Sequence, residues 1–139
     1  MPYDPVLVQP MREELSSIGV KELTSADEVE AWMNEKQGTA LLVINSVCGC
    51  AAGGARPAVR LALEQGEKKP ERVGTVFAGQ DIEATQRARQ HFPEIPPSSP
   101  SMYLFKDGEL VYVLPRHGIE GFSAEAIAQE LQEQFAKYC

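Results

Sequence analysis

Cysteine is scarce in this chain: three in 139 residues, at positions 48, 50 and 139. That is too few for a disulfide scaffold, and a chain of this length can bury a core without one. Histidine is scarcer, with His91 and His117 alone. A four-ligand zinc centre would have to draw on these two and Cys139, in no finger-like spacing. Basic residues are in deficit: 13 Lys and Arg against 20 Asp and Glu, for a net charge of -7. A nucleic-acid partner needs the opposite balance. No apolar run reads as a membrane span. The opening Met1-Pro2-Tyr3-Asp4-Pro5 lacks the charged and apolar regions of a signal peptide. These absences predict a single cytoplasmic domain over residues 1–139, with no nucleic-acid and no membrane partner.

Two of the three cysteines stand together as Cys48-Gly49-Cys50. They follow the apolar run Ala40-Leu41-Leu42-Val43-Ile44 and precede Ala51-Ala52-Gly53-Gly54-Ala55. In a reducing compartment such a pair points to catalysis, redox exchange or metal binding. A thiol attacks only as the thiolate, and a strand-to-helix turn supplies free N–H groups and a helix dipole that favour it. Residues two apart on a helix face away from one another, so a Cys48–Cys50 bridge needs non-helical backbone. Gly49 allows that at little steric cost. The ring would be small and readily reduced, which suits exchange better than stapling. From the residues alone two other readings stay open: inert buried thiols, or two thiolates holding zinc or copper(I).

The rest of the chain alternates helical and extended patterns. A short helix is predicted for Met11 to Ser17, then a weak strand at Val20 to Leu23. Ser25 and Glu28 have capping-box spacing ahead of Val29, Trp32 and Met33, predicting a helix that Gly38 ends. Thr39 to Val47 reads as a central strand buried on both faces. Cys50 to Gln65 is helical in pattern, but Gly53, Gly54 and Pro57 obscure where it begins. A strand follows at Arg72 to Ala78, and then a helix capped by Asp81 and running to about His91. Pro93 to Pro100 reads as a stiff loop. Met102 to Phe105 and Leu110 to Leu114 flank Asp107-Gly108 as a hairpin. Ser123 can cap a final helix carrying Ile127, Leu131 and Phe135. From the first strand the order is βαβαβαββα, an α/β class that predicts a three-layer sandwich about one mixed sheet. The Gly-rich stretch after Cys50 does not match a dinucleotide or phosphate loop.

This order, the cysteines after the second strand, and Pro100 followed by Phe105-Lys106-Asp107-Gly108 resemble the thioredoxin fold. Four blocks narrow the resemblance to the bacilliredoxins: Val43 to Gly53, Val76 to Asp81, Pro97 to Met102, and Pro115-Arg116-His117. The terminal Cys139 also fits that pattern. The resemblance implies a thiol–disulfide oxidoreductase with no bound cofactor. It implies client proteins carrying a mixed disulfide with bacillithiol, a low-molecular-weight thiol. Cys48 would be the nucleophile, Cys50 the resolving thiol, and Pro100 a cis-proline facing them, with Ser99 beside it. Weak disulfide isomerase activity is also associated with the family. The C-G-C motif departs from the C-x-x-C of ordinary thioredoxins.

Around the pair, the candidate substrate-binding cations are Arg56, Arg60, Arg116 and His117. Bacillithiol carries a malate group, whose carboxylates an arginine fork could hold. Asn45 and Ser46 could hydrogen-bond the cysteine loop or satisfy local backbone. Cys139 is expected to lie outside the catalytic steps, because a helix C-terminus disfavours a thiolate.

Overall fold

The sheet is built around one strand that has no polar face. In a computed structural model describing residues 2–139, all seven residues of β2 (Thr39–Asn45) are buried. Alternate side chains of a strand point to opposite faces. Leu41 and Val43 therefore enter one core, while Ala40, Leu42 and Ile44 enter the other. Helices are needed on both sides to cover them. The first core is closed by α1 (Pro5–Ser16), α3 (Arg56–Gln65) and α5 (Ala124–Tyr138). The second is closed by α2 (Ala26–Asn34) and α4 (Ile82–Arg89), with Phe92 stacked on Tyr103 at a centroid distance of 4.1 Å.

The other strands are β1 (Lys21–Glu22), β3 (Arg72–Phe77), β4 (Ser101–Lys106) and β5 (Glu109–Leu114), and the sheet order is β1-β3-β2-β4-β5. β2 pairs parallel with β3 and antiparallel with β4, so the sheet is mixed. This is the three-layer α/β/α arrangement that the sequence predicts. The β4–β5 hairpin turns at Asp107 and Gly108, both at positive φ (50° and 85°), as a two-residue turn of the Asp-Gly kind requires. Its tip is tied down: Asp107 N–H donates to the Gly38 carbonyl at 2.8 Å, and Gly38 N–H donates to Asp107 Oδ1 at 2.9 Å.

Several boundaries differ from the sequence reading. α1 begins at Pro5, well before Met11, because Asp4 Oδ1 accepts the Val6 N–H at 2.9 Å and Pro5 occupies the first turn, where its missing N–H costs nothing. β2 stops at Asn45, two residues before Val47, because the Asn45 side chain turns back onto the backbone of the next residue. Asp81 sits at the N-cap of α4 without a capping side-chain bond. Its carboxylate is instead held in a two-pronged pair with Arg12, at 2.7 and 2.9 Å, which fastens α1 to the start of α4. Ser25 and Ser123 do cap their helices, accepting from Glu28 N–H and Ala126 N–H.

Gly74 on β3 lies under the single tryptophan. A Cβ there would stand 2.8 Å from Trp32 Cε2 and 3.1 Å from Leu23 Cδ1. Gly74→Ala should therefore destabilise the domain by about 1–3 kcal/mol through overpacking. Urea unfolding followed by Trp32 fluorescence would check this; an unchanged midpoint would show that the ring has room to move.

Candidate active site

The cysteine pair leaves the sheet at the C-terminal end of β2, and its geometry starts with Asn45. The Asn45 carbonyl accepts from Ala78 N–H at 2.9 Å, and its Nδ2 donates to the Met11 carbonyl at 3.3 Å. Its Oδ1 accepts from Ser46 N–H at 2.8 Å and from Arg56 Nη1 at 3.0 Å. One side chain thus joins β2 to α1, to α3 and to the loop that follows.

Beyond Ser46 and Val47 the chain bends at Cys48 and turns helical at Gly49. The Cys48 carbonyl accepts the N–H groups of Ala51 and Ala52, both at 3.1 Å. Cys48 therefore caps the helix from just outside it, and Cys50 lies within its first turn (φ -69°, ψ -25°). That difference in backbone lets two residues of i, i+2 spacing face each other. Their sulfurs lie 2.6 Å apart, both as free thiols. A wide π turn, Ala51–Ala55, then leads into α3. It is the reason the sequence leaves the start of this helix indistinct. Gly54 belongs there because a Cβ would come within 3.3 Å of Ile127 Cδ1.

The two thiols are electrostatically unequal. Burial opposes a thiolate at Cys48, but hydrogen bonds from Cys50, from Ser46 and from the backbone N–H groups of Ala51 and Cys50 together hold its pKa below the ordinary thiol value. Ser46 Oγ donates to Cys48 Sγ at 3.1 Å. Cys50 is pushed the other way, by burial and then by the neighbouring Cys48, with the positive charge of Arg116 partly offsetting this. Such a split between adjacent groups marks a functional site more often than a structural one.

The other predicted residues fall in distinct places. The Ser99–Pro100 peptide bond is cis, and Pro100 is buried. Ile44 on β2 pairs with Ser101 on β4, so Pro100 sits at the sheet end from which the cysteine loop departs. Arg116 braces this corner: its N–H donates to Ser98 Oγ at 3.3 Å, and its Nη1 donates to the Ser99 carbonyl at 3.2 Å. Glu120 binds the guanidinium from the other side at 2.8 Å. His117 and Arg60 are exposed. Arg56 requires a correction. Expected as a substrate-binding cation, it is only 2% exposed, and its donors go to Glu14 Oε2 (2.9 Å), Asn45 Oδ1 (3.0 Å) and the Ser46 carbonyl (2.7 Å). Cys139 is held near Thr39, at the opposite end of β2. Six residue steps of strand put that about 20 Å from Asn45. Burial raises its pKa, and it lies far from the pair. Among the described residues, no three His, Cys, Asp or Glu side chains cluster to hold a metal ion, and no helix is long and apolar enough to cross a membrane.

Comparison with known proteins decides the family. The family described as "Disulphide isomerase" matches residues 3–139. A bacilliredoxin of Salinibacter ruber is 54% identical over 140 residues, covering 100% of this chain and 82% of its own. A bacilliredoxin of Geobacillus kaustophilus is 51% identical over 133 residues, covering 96% and 92%.

The chain belongs to the bacilliredoxin family.

It is a thiol–disulfide oxidoreductase, as the sequence resemblance implied. Its fold is that of thioredoxin: Fasciola hepatica thioredoxin superposes with a TM-score of 0.57 at 19% identity, covering 86% of this chain and 100% of that one. Schistosoma mansoni thioredoxin gives 0.58 at 16%, covering 86% and 98%.

What the sequence did not reveal is the ring of contacts behind the pair: Glu14 and Met11 from α1, and the inward role of Arg56 from α3. One signal was available. Arg56 lies three residues before Val59, on the face of α3 that carries the core, and a charge in that position needs buried partners.

The unequal electrostatics give a direct expectation. Alkylation of the reduced protein, mapped by peptide mass, should modify Cys48 first. Its rate should level off at a pH below that of a free thiol, and Cys50 should titrate above it. Modification of Cys50 first would contradict the assignment.

Proposed function

We propose that this bacilliredoxin removes bacillithiol from cytoplasmic client proteins, with Cys48 as nucleophile and Cys50 as resolving thiol. The observation that carries the reading is the pair itself: two free sulfurs 2.6 Å apart at a strand exit, one favoured as thiolate and the other held as thiol. The relatives' name supports the thiol substrate.

The steps balance as follows. The Cys48 thiolate attacks the bacillithiol sulfur of the client's mixed disulfide. A Cys48–bacillithiol disulfide forms, and the client sulfur leaves as thiolate. Cys50 then loses its proton to solvent or to a departing sulfur and attacks Cys48 Sγ. Bacillithiol leaves as thiolate, and the Cys48–Cys50 disulfide remains. The mixed disulfide has gained two electrons, one on the client sulfur and one on the bacillithiol sulfur, and the pair has lost two. A low-molecular-weight thiol or another dithiol returns them.

The electrostatics order these steps. While Cys48 is a thiolate, its charge holds Cys50 protonated. Once Cys48 is in a neutral mixed disulfide, that repulsion is gone and the attraction of Arg116 persists. The first step thereby activates the second thiol. Arg116 is also our choice for the malate carboxylates of bacillithiol, since its guanidinium is solvent-accessible, its charge acts on both sulfurs, and it braces the Ser99–Pro100 corner. His117 on the adjacent turn is exposed to the same solvent. No bound cofactor is required by this chemistry.

The family description favours a second reading, disulfide isomerisation or general reduction through another thiol pool. Turnover of a bacillithiolated client against the same client glutathionylated separates the two. Under the leading reading, Cys48→Ser abolishes bacillithiol release, and Cys50→Ser accumulates a Cys48–bacillithiol adduct visible by intact mass. Arg116→Ala should lower kcat/KM for the bacillithiolated client by about tenfold, the worth of one charge-assisted contact. Full activity in Cys48→Ser would falsify the assignment. Equal turnover of both clients would favour the second reading.

A further inference from the structure

The hydroxyl of Ser46 touches the reacting sulfur, and the rest of that residue is fully committed. Its N–H goes to Asn45 Oδ1 at 2.8 Å, and its carbonyl accepts from Arg56 Nη1 at 2.7 Å. Its Oγ accepts the Cys48 N–H at 3.2 Å. A hydroxyl has one proton to donate. With the oxygen occupied as acceptor on its backbone side, that proton is left for Cys48 Sγ, 3.1 Å away.

What holds Ser46 in this pose is a buried arginine behind it, paired with a carboxylate that reaches the surface. Arg56 is 2% exposed, and Glu14 from α1 neutralises it at Nε. Its Nη1 spans Asn45 Oδ1 and the Ser46 carbonyl. Neither oxygen can turn away without leaving a buried guanidinium donor unmatched, which is costly. Ser46 thus stands between Arg56, which its carbonyl meets, and Cys48, which its hydroxyl meets.

We infer that Ser46 is a catalytic residue whose hydroxyl donates to the Cys48 thiolate, and that Arg56, anchored by Glu14 and Asn45, is the positioning residue that holds Ser46 there. The inference rests on Cys48 being the nucleophile. The hydrogen bond raises the thiolate fraction at neutral pH. The accompanying loss of intrinsic nucleophilicity is smaller, because attack depends only partially on thiol basicity. The same bond stabilises Cys48 as leaving group when an outside thiol later opens the Cys48–Cys50 disulfide. The charged and titratable groups acting on Cys48 are Cys50 on its own turn and Arg116 from the segment after β5, with the Arg56–Glu14 pair behind Ser46.

The test is the pH dependence of Cys48 alkylation, resolved from Cys50 by peptide mass, in the reduced full chain. Ser46→Ala should raise the apparent Cys48 pKa by about one unit, an approximately tenfold loss of thiolate at neutral pH. Ser46→Thr, which keeps the hydroxyl, should restore it. Arg56→Met should shift Cys48 in the same direction as Ser46→Ala. Glu14→Gln, at a side chain 45% exposed, should do so by less, and it carries the positioning claim if Arg56→Met does not fold by circular dichroism. An unchanged Cys48 titration in Ser46→Ala overturns the catalytic role. A folded Arg56→Met variant with wild-type titration, or an unshifted Glu14→Gln where Arg56→Met does not fold, overturns the positioning role. Cys50 titrating below Cys48 in the unmutated protein removes the nucleophile assignment, and the inference with it, and is distinguishable because it appears before any substitution.

Discussion

A guanidinium buried to 2% exposure has to be surrounded by acceptors, and Arg56 finds them at the root of the cysteine loop. An unpaired charge in that position would be far too costly to keep in a protein of ordinary stability. The acceptors therefore come as a set: a carboxylate from α1, an amide oxygen from the last residue of β2, and a carbonyl from the next residue. Three elements distant in sequence meet at one point because a single charge demands it. The loop that bears Cys48 has little freedom as a result. Its stiffness comes from the polar interior of the domain, since Gly49 contributes none.

The chemistry follows from how two like groups are made unlike. Cys48 stands outside the helix and collects N–H and O–H donors. Cys50 stands inside it and faces Cys48, whose neighbouring sulfur helps hold its proton on. Neither a metal nor a bound cofactor is needed to distinguish them. A difference of backbone conformation across one glycine suffices, because it decides which sulfur lies under the free amides of the first turn.

Much of this was legible in the sequence, for identifiable reasons. Thr39 to Asn45 has no polar interruption, so its burial on both faces and its central place followed from composition. Asp107-Gly108 announced a turn that only positive φ satisfies. Ser25 and Ser123 announced helix starts. The site was legible as Cys48-Gly49-Cys50 and the Ser99–Pro100 corner, because those are local patterns. The Arg56 network was not, since Glu14 and Asn45 are 42 and 11 positions away from it, and a long-range pairing leaves no mark on local periodicity. Asp81 shows the opposite error. Its sequence context fits a cap, yet Arg12, 69 positions away, claims the carboxylate and leaves the helix start to its backbone.

The π turn at Ala51–Ala55 sets a phase. An α-helix advances about 100° per residue, and a π turn holds one residue more than an α turn before closing its hydrogen bond. The surplus residue means that Cys50 and the core face of α3 are clocked independently of ordinary helical repeat. Removing one residue from this stretch would leave a more regular helix and a better-matched hydrogen-bond ladder. It would also swing Cys50 about 100° around the axis relative to Ala58, Val59 and Ala62, whose positions the core fixes. The two sulfurs would then be carried apart by a change that improves local helix geometry. In this domain the irregular turn works as a gear tooth that sets the angle between a fixed core and the cysteine pair.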